Sequence, residues 1–88
     1  MASIEFDEQP ALAYELLEKT GDLTLLDAID AALDILEDDP GGAEARRRSF
    51  GDGRWGIPVR TRTDDWLVIW EHDGDVPVVR YLGADPFA

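Results

Sequence analysis

Residues 55–83 constrain the fold of this chain more than any other part of the sequence. They contain three runs rich in β-branched and aromatic residues, and short polar turns separate these runs. This arrangement is typical of an antiparallel meander. The run over residues 66–70 is apolar on both faces, which predicts the central strand. Pro58 has no backbone N–H to donate, so the run that contains it is predicted to form an edge strand or to carry a bulge there.

Two helices are predicted ahead of the meander. Gly21 ends the first, and Asp22 is a suitable N-cap for the second, which the Asp-Asp-Pro-Gly-Gly sequence at 38–42 ends. A polar–apolar alternation at residues 3–6 predicts a short strand or an ordered arm. The order of elements predicts an α+β fold in one domain, residues 1–88. An N-terminal helical hairpin packs on one face of a twisted antiparallel sheet of three to four strands.

The helices are amphipathic in sequence. In the first helix Leu12, Leu16 and Leu17 form an apolar stripe with charged residues outside it. In the second, leucine and isoleucine recur at spacings of three and four residues, with aspartates on the other side. Both stripes are predicted to face the sheet.

The charges divide unequally between the two halves of the chain. The net charge is −12; residues 1–44 hold thirteen acids and one lysine, whereas residues 45–88 hold seven acids and seven arginines. The acidic half is typical of solvated helix surfaces and disfavours contact with nucleic acid, whose phosphates require basic partners. The arginines lie in the meander and just before it.

Several classes of protein are not favoured by the composition. The chain has no cysteine, so disulfides and thiolate metal sites are excluded. No apolar run approaches the roughly 20 residues of a membrane span, and no secretory signal is recognisable. We therefore expect a cytoplasmic protein that does not associate with membranes. No phosphate-binding loop or zinc motif is present, and no metal or cofactor is predicted.

The arginines of the meander are the candidate binding residues, and the strand register decides which of them meet. Arg60 and Arg62 are predicted on one face of the same strand, about 6–7 Å apart. With a three-residue loop at 63–65 and a two-residue turn at Asp73 and Gly74, one face carries Arg60, Arg62, Trp66, Val68, Trp70, Val79 and Tyr81. Arg80 then lies on the other face, and a shift of one residue would bring it beside Arg60 and Arg62.

Two interpretations of this face stay open. In the first, the arginines hold phosphates while the aromatic rings stack on a base. In the second, the arginines cover the open face of the sheet and pair with acids from the helices. The single histidine, His72, is interpreted as a turn residue rather than as a general base.

The chain resembles the RelE/ParE superfamily of small toxins from bacterial toxin–antitoxin systems. The order of elements agrees over nearly the whole chain. The residues that carry the resemblance lie between positions 36 and 83: Leu36 with Asp39 and Pro40, Val59 with Arg60, Val68 with Ile69 and Trp70, and Val78 to Leu82. The resemblance implies a domain that an antitoxin wraps. In the members that act on the ribosome, it also implies cleavage of mRNA without a metal ion.

On the toxin hypothesis the chain is a metal-independent endoribonuclease whose activity is weakened or lost. The catalytic candidates are Arg60 and Arg62 for the scissile phosphate, Arg80 for the developing charge, and Tyr81 for stacking or proton relay. The binding candidates are Arg54, Trp66 and Trp70. Loss of activity is expected because Gly83, Ala84 and Asp85 stand where the resembling enzymes carry their last catalytic groups. Its partners would be an antitoxin and ribosome-bound mRNA.

The alternative hypothesis is a non-enzymatic protein-interaction module. It would use the arginine and aromatic face of the sheet, with Trp66, Trp70 and Tyr81 exposed, to form a homodimer or to bind an antitoxin-like partner. A third hypothesis, an acidic mimic of nucleic acid built on the helical hairpin, is the least favoured.

Overall fold

The computed structural model describes residues 4–87. One short strand comes first, then a helical hairpin, and then the other four strands of a mixed sheet. The elements are β1 (Glu5–Phe6), α1 (Glu8–Thr20), α2 (Leu23–Asp38), β2 (Arg48–Gly51), β3 (Arg54–Arg60), β4 (Asp65–Asp73) and β5 (Val76–Ala84). The α+β prediction is confirmed. The predicted sheet of three to four antiparallel strands is wrong, because the sheet has five strands in the order β1-β5-β4-β3-β2 and β1 runs parallel to β5. Ser3, part of the predicted first strand, lies outside the described residues.

The end of α1 and both ends of α2 lie where the sequence predicts them, whereas the start of α1 was not predicted. Asp7 caps α1 by accepting a hydrogen bond from the N–H of Glu8, and Gly21 ends it with φ of 74°, in the left-handed region that favours glycine. Asp22 caps α2 by accepting a hydrogen bond from the N–H of Leu25 at 3.2 Å. The helix boundaries therefore follow from local capping.

A tyrosine on α1 ties the two helices together. The hydroxyl of Tyr14 donates to Oδ1 of Asp30 on α2 at 2.6 Å. This hydrogen bond, together with partial burial and the charge of Asp30, raises the pKa of Tyr14 to about 12 from its ordinary value of 10.0. The protonated phenol is the form that stabilises the hairpin.

Tyr14→Phe is expected to lower the free energy of unfolding at neutral pH by about 1 kcal/mol, because a hydrogen bond to a charged acceptor is removed from a half-buried site. Since the folded pKa is raised, the contribution is fully present below pH 10.0 and is lost as the pH rises through about 12. Denaturant unfolding checks the first statement, and titration of tyrosine absorbance checks the second. Tyr81→Phe is the control, and it should retain the late-titrating tyrosine. Titration of Tyr14 at its ordinary pKa in the folded protein would contradict the contact.

The main core lies between the helices and one face of the sheet. On that face Trp55 lies opposite Trp70, Ile57 opposite Val68, and Val59 opposite Trp66. From α2, Ile29 and Leu36 pack against these strands and are fully buried. We call this the helix-covered face, and the other side of the sheet the opposite face.

The strand registers differ from the predicted ones for two local reasons. Thr61 closes the β3–β4 loop early: its hydroxyl accepts the N–H of Asp64 at 3.0 Å, so β3 ends at Arg60, which pairs with Asp65. In the β4–β5 hairpin the two loop residues are Gly74 and Asp75, because Asp73 pairs with Val76. The predicted turn at Asp73 and Gly74 is therefore wrong by one residue.

A bulge in β5 then changes the register within the same hairpin. Ile69 pairs with Tyr81 but the next residue, Trp70, pairs with Val79, so Arg80 is the extra residue. Trp66 consequently lies opposite Ala84.

The opposite face is partly covered by the chain itself. Leu67 on β4 is 0% exposed although α1 and α2 both pack on the other side of the sheet. The ring of Phe50 lies over Gly56, where an added Cβ would come within 2.6 Å of that ring and 3.1 Å of Leu67. The ring of Phe87 lies 5.5 Å from that of Phe50. Residues 85–87, which we call the strap, thus fold back onto the sheet and help to form a second, smaller apolar layer.

A glutamine side chain extends the edge of the sheet beyond β1. The side-chain amide of Gln9 donates to the carbonyl of Leu82 at 2.9 Å and accepts the N–H of the same residue at 3.0 Å. β1 is two residues long and pairs only with Val78 and Val79, so the Gln9 amide takes the place of a strand residue beside the backbone of Leu82. Within residues 4–87, neither helix combines the length and the apolar character needed to cross a membrane.

Candidate functional site

The predicted site residues lie on both faces of the sheet. Trp66 and Trp70 are on the helix-covered face, and Trp70 is 0% exposed, so the predicted exposed aromatic surface is wrong. Arg54 and Arg60 are at opposite ends of β3 on the opposite face, about 20 Å apart at a rise of about 3.3 Å per residue. The structure therefore does not bring these residues together.

Two of the predicted arginines are held by one glutamate. Oε1 of Glu71 accepts from Nε of Arg80 at 2.8 Å, and Oε2 accepts from Nε of Arg54 at 3.1 Å. Asp7 adds a longer contact, 3.4 Å from Nη1 of Arg80. The hydrogen bond from Arg54, followed by that from Arg80, lowers the pKa of Glu71. These arginines are paired with acids, as in the second interpretation, but their main partner is Glu71 on β4 and not an acid of the helices; only Asp7, the N-cap of α1, belongs to the helical part.

Tyr81 is engaged within its own strand. Its hydroxyl donates to the carbonyl of Ala84 at 2.7 Å. The hydroxyl also lies over Gly83, where an added Cβ would come within 2.8 Å of it. The phenol is thus folded onto the end of β5 and is directed toward neither Arg60 nor the Glu71 cluster.

Arg60 lies in a groove with Arg47 and with Arg48, the first residue of β2. This arginine groove, about 420 Å³ in volume, is lined by Arg47, Arg48, Pro58 and Arg60. Arg62 lies elsewhere, in a separate hollow beside the start of α2 with Asp22 and Thr24. The prediction that Arg60 and Arg62 are neighbours on one strand is wrong, since β3 ends at Arg60.

A cluster of Arg46, His72 and two tryptophans joins the loop after α2 to the sheet. The guanidinium carbon of Arg46 lies 4.2 Å from the centre of the Trp55 ring, and Nη2 lies 3.3 Å from Nε2 of His72. Below them, Nε1 of Trp70 donates to the carbonyl of Ala45 at 2.7 Å. The sequence interpretation missed this cluster, although the period-two spacing of Trp70 and His72 places both on one face. Arg46 lies over the ring of Trp55, so that ring already has a stacking partner.

The sequence interpretation also missed an apolar surface on α1. Of the predicted stripe only Leu17 is buried, whereas Leu12 is 53% exposed and Leu16 is 60% exposed. Leu16 borders a groove of about 280 Å³ between α1 and the sheet. The groove is lined by Gln9, Ala13, Leu16, Leu17, Thr20, Trp66, Leu82, Gly83 and Ala84. We call Leu12, Leu16 and this groove the α1 apolar face.

Acidic side chains border the α1 apolar face. Asp7 and Glu8 line the hollow that also contains Leu12 and Leu16. Glu15, on the next turn, is exposed and forms a surface ion pair with Lys19 at 3.4 Å. A ligand of this face therefore meets apolar side chains inside a negatively charged border.

The structure offers no ready metal site among the residues that it describes, where no three His, Asp or Glu side chains are grouped to hold an ion. No protein-family model, curated protein or solved structure matches the chain. Its function is therefore inferred from the surfaces described above.

Proposed function

We propose that the chain is a non-enzymatic protein-interaction module, toxin-like in layout, that binds a partner protein through the α1 apolar face. The observation that carries this proposal is the exposure of Leu12 and Leu16, 53% and 60%, beside a groove floored by Trp66 and Leu82. Contiguous exposed apolar surface with a polar border marks sites of protein interaction. An antitoxin-like protein is the partner that the RelE/ParE resemblance suggests.

The charge of the surrounding surface specifies the chemistry of the partner. Asp7 and Glu8 border the apolar side chains, and residues 1–44 carry thirteen acids against one lysine. Leu12 and Leu16, one helical turn apart, form a ridge that suits packing against another helix. The expected ligand is an amphipathic helix with an apolar stripe and Lys or Arg on either side of it. A second copy of this chain is a poor occupant, because two acidic borders would repel each other.

The placement of the arginines favours binding over ribonuclease activity. Proton transfer and stabilisation of a phosphorane require groups within hydrogen-bond reach of the same atoms. Arg54 and Arg80 hold Glu71, while Arg60 lies at the far end of β3. The catalytic candidates suggested by the toxin resemblance are thus not grouped around one point where a phosphate could react.

The α1 apolar face is tested with the variant that carries both Leu12→Ala and Leu16→Ala. The probe is a synthetic helical peptide with a leucine stripe bordered by lysines, and binding is followed by the fluorescence of the tryptophans, of which Trp66 lines the groove. We expect the double variant to bind at least about tenfold more weakly, since each truncation removes roughly 1–2 kcal/mol of apolar contact.

Leu23→Ala is the matched control, because Leu23 is 67% exposed on α2 and does not line the groove. It should leave the affinity unchanged. A peptide with glutamates in place of the lysines should not bind. Equal binding of both peptides, or full affinity in the double variant, would contradict the proposal. Expression in bacteria provides a second test. Growth arrest with mRNA cleavage that is abolished in the double variant Arg60→Ala, Arg62→Ala would also contradict the proposal.

A further inference from the structure

The arginine groove occupies the place where β2 would continue along β3. β2 begins at Arg48, which lies opposite Gly56, so within residues 4–87 the edge of β3 beyond Gly56 has no strand beside it. β3 is not the edge strand predicted from Pro58, since β2 lies beside its first half. Pro58 is nevertheless on the part of β3 that β2 does not reach, where it has no N–H that needs a partner. The arginine side chains, rather than a strand, therefore border the backbone there.

The groove carries a local positive charge in an acidic protein. Among residues 4–87, Arg47 forms no ion pair. Arg60 lies 3.6 Å from Asp65, but both side chains are more than half exposed, so this pair is weak. Arg48 is paired with Asp85 at 2.7 Å. The three groove arginines and the two carboxylates paired with them, Asp65 and Asp85, together carry one net positive charge.

Asp85 is a buried carboxylate that is paired with Arg48, one of the three arginines that line the groove. Its side chain is 1% exposed, and Oδ1 accepts the N–H of Phe87 at 2.9 Å while Oδ2 faces Arg48. Burial opposes its ionisation, but the hydrogen bond from Phe87, then Arg48 and the charge of Arg60, lower the pKa of Asp85 below its ordinary value. The carboxylate is thus ionised and is paired with Arg48 of the groove.

Apart from the ion pair of Asp85 with Arg48, the strap is held by few contacts. The N–H of Asp85 donates to the carbonyl of Asp65 at 2.8 Å, which prolongs the β4–β5 ladder by one bond. Beyond it the ring of Phe87 rests on Phe50 but is still 65% exposed. Local release of such a segment requires the loss of little buried surface.

We propose that the arginine groove binds a phosphate group and that the carboxylate of Asp85 competes with this phosphate for Arg48. Guanidinium groups bind phosphate oxygens through paired, charge-assisted hydrogen bonds, and Arg47 and Arg60 have exposed side chains to offer. Displacement of Asp85 raises the charge of the remaining cluster from one to two. The groove lies on the opposite face of the sheet from α1, so this site is independent of the α1 apolar face.

The test is a titration with inorganic phosphate, followed in NMR spectra by the side-chain N–H signals of the arginines. The wild-type chain should show saturable shifts at Arg47, Arg48 and Arg60, at millimolar phosphate. Asp85→Asn should bind about tenfold more tightly, because a competing negative charge a few ångströms away is removed. Arg47→Ala should abolish the shifts of the other two groove arginines. Arg62→Ala is the matched control and should leave them unchanged.

The alternative results are decisive. The absence of saturable shifts in both the wild type and Asp85→Asn would overturn the site. Equal weakening by Arg47→Ala and Arg62→Ala would show that phosphate responds only to general charge. An unchanged affinity in folded Asp85→Asn would overturn the competition. If Asp85→Asn does not fold, Phe87→Ala loosens the strap without touching the buried carboxylate. It should then tighten phosphate binding about twofold, since the strap would open more often; no tightening would overturn the competition in that case as well.

Discussion

Trp70→Ala is expected to lower the free energy of unfolding by about 3–5 kcal/mol, the range for removal of a large buried aromatic side chain. Trp70 is 0% exposed, lies at the centre of β4, and contacts the ring of Trp55 at a centroid distance of 5.1 Å. Its Nε1 also donates the hydrogen bond that holds the carbonyl of Ala45. Equilibrium unfolding in urea, followed by circular dichroism, measures the loss.

Trp70→Phe separates packing from hydrogen bonding in the same position. The phenyl ring retains much of the buried area, but the carbonyl of Ala45 loses its donor, at a cost of about 1–3 kcal/mol. Trp66→Phe is the matched control, because Trp66 is only partly buried and forms no such hydrogen bond among the described residues. A cost below about 1 kcal/mol for Trp70→Ala would contradict the position of Trp70 in the core.

Leu67→Ala is expected to cost about 2–4 kcal/mol, as in a core, although Leu67 points away from both helices. The side chain is 0% exposed, and both Leu67 and the ring of Phe50 lie against the backbone of Gly56. Ile69→Ala is the control: it lies on the same face of the same strand but is only partly buried, and it should cost less. Denaturant unfolding measures both.

A sheet face open to water would give the opposite result. Leu67→Ala and Ile69→Ala would then cost similar, small amounts, below about 1 kcal/mol. Phe50→Ala, combined with Leu67→Ala, provides a further test. If Phe50 covers Leu67, the two effects should not add, because the second substitution removes a contact that the first has already weakened.

The sequence was sufficient to predict the elements whose signals are local. The double-sided apolar run of β4 predicted a central strand, and it is the middle strand of the five. Its second face is apolar because Phe50 and the strap cover it as well, which the sequence did not indicate. The helix ends were predictable from Asp22 and Gly21, since capping depends on neighbouring residues alone.

The candidate site depended on geometry that local patterns do not specify. The sequence prediction continued the alternating strand pattern as far as Arg62. In the structure β3 ends two residues earlier, at Arg60, because the hydroxyl of Thr61 accepts the N–H of Asp64 and closes the loop. The bulge at Arg80 rotates that side chain toward Glu71. On α1, periodicity identified the apolar stripe correctly, but only tertiary packing shows that Leu17 faces inward while Leu12 and Leu16 do not.

The amide of Gln9 has a consequence for the order of folding. Its two hydrogen bonds reach Leu82, 73 residues further along the chain, and β1 pairs with Val78 and Val79 of the same strand. Contacts of such long sequence separation form slowly, because a large loop must close before they contribute. During translation, α1 and α2 leave the ribosome well before β5 exists to receive them. The edge of the sheet can therefore close only late in synthesis, and until then the apolar residues of α1 remain open to other binding partners.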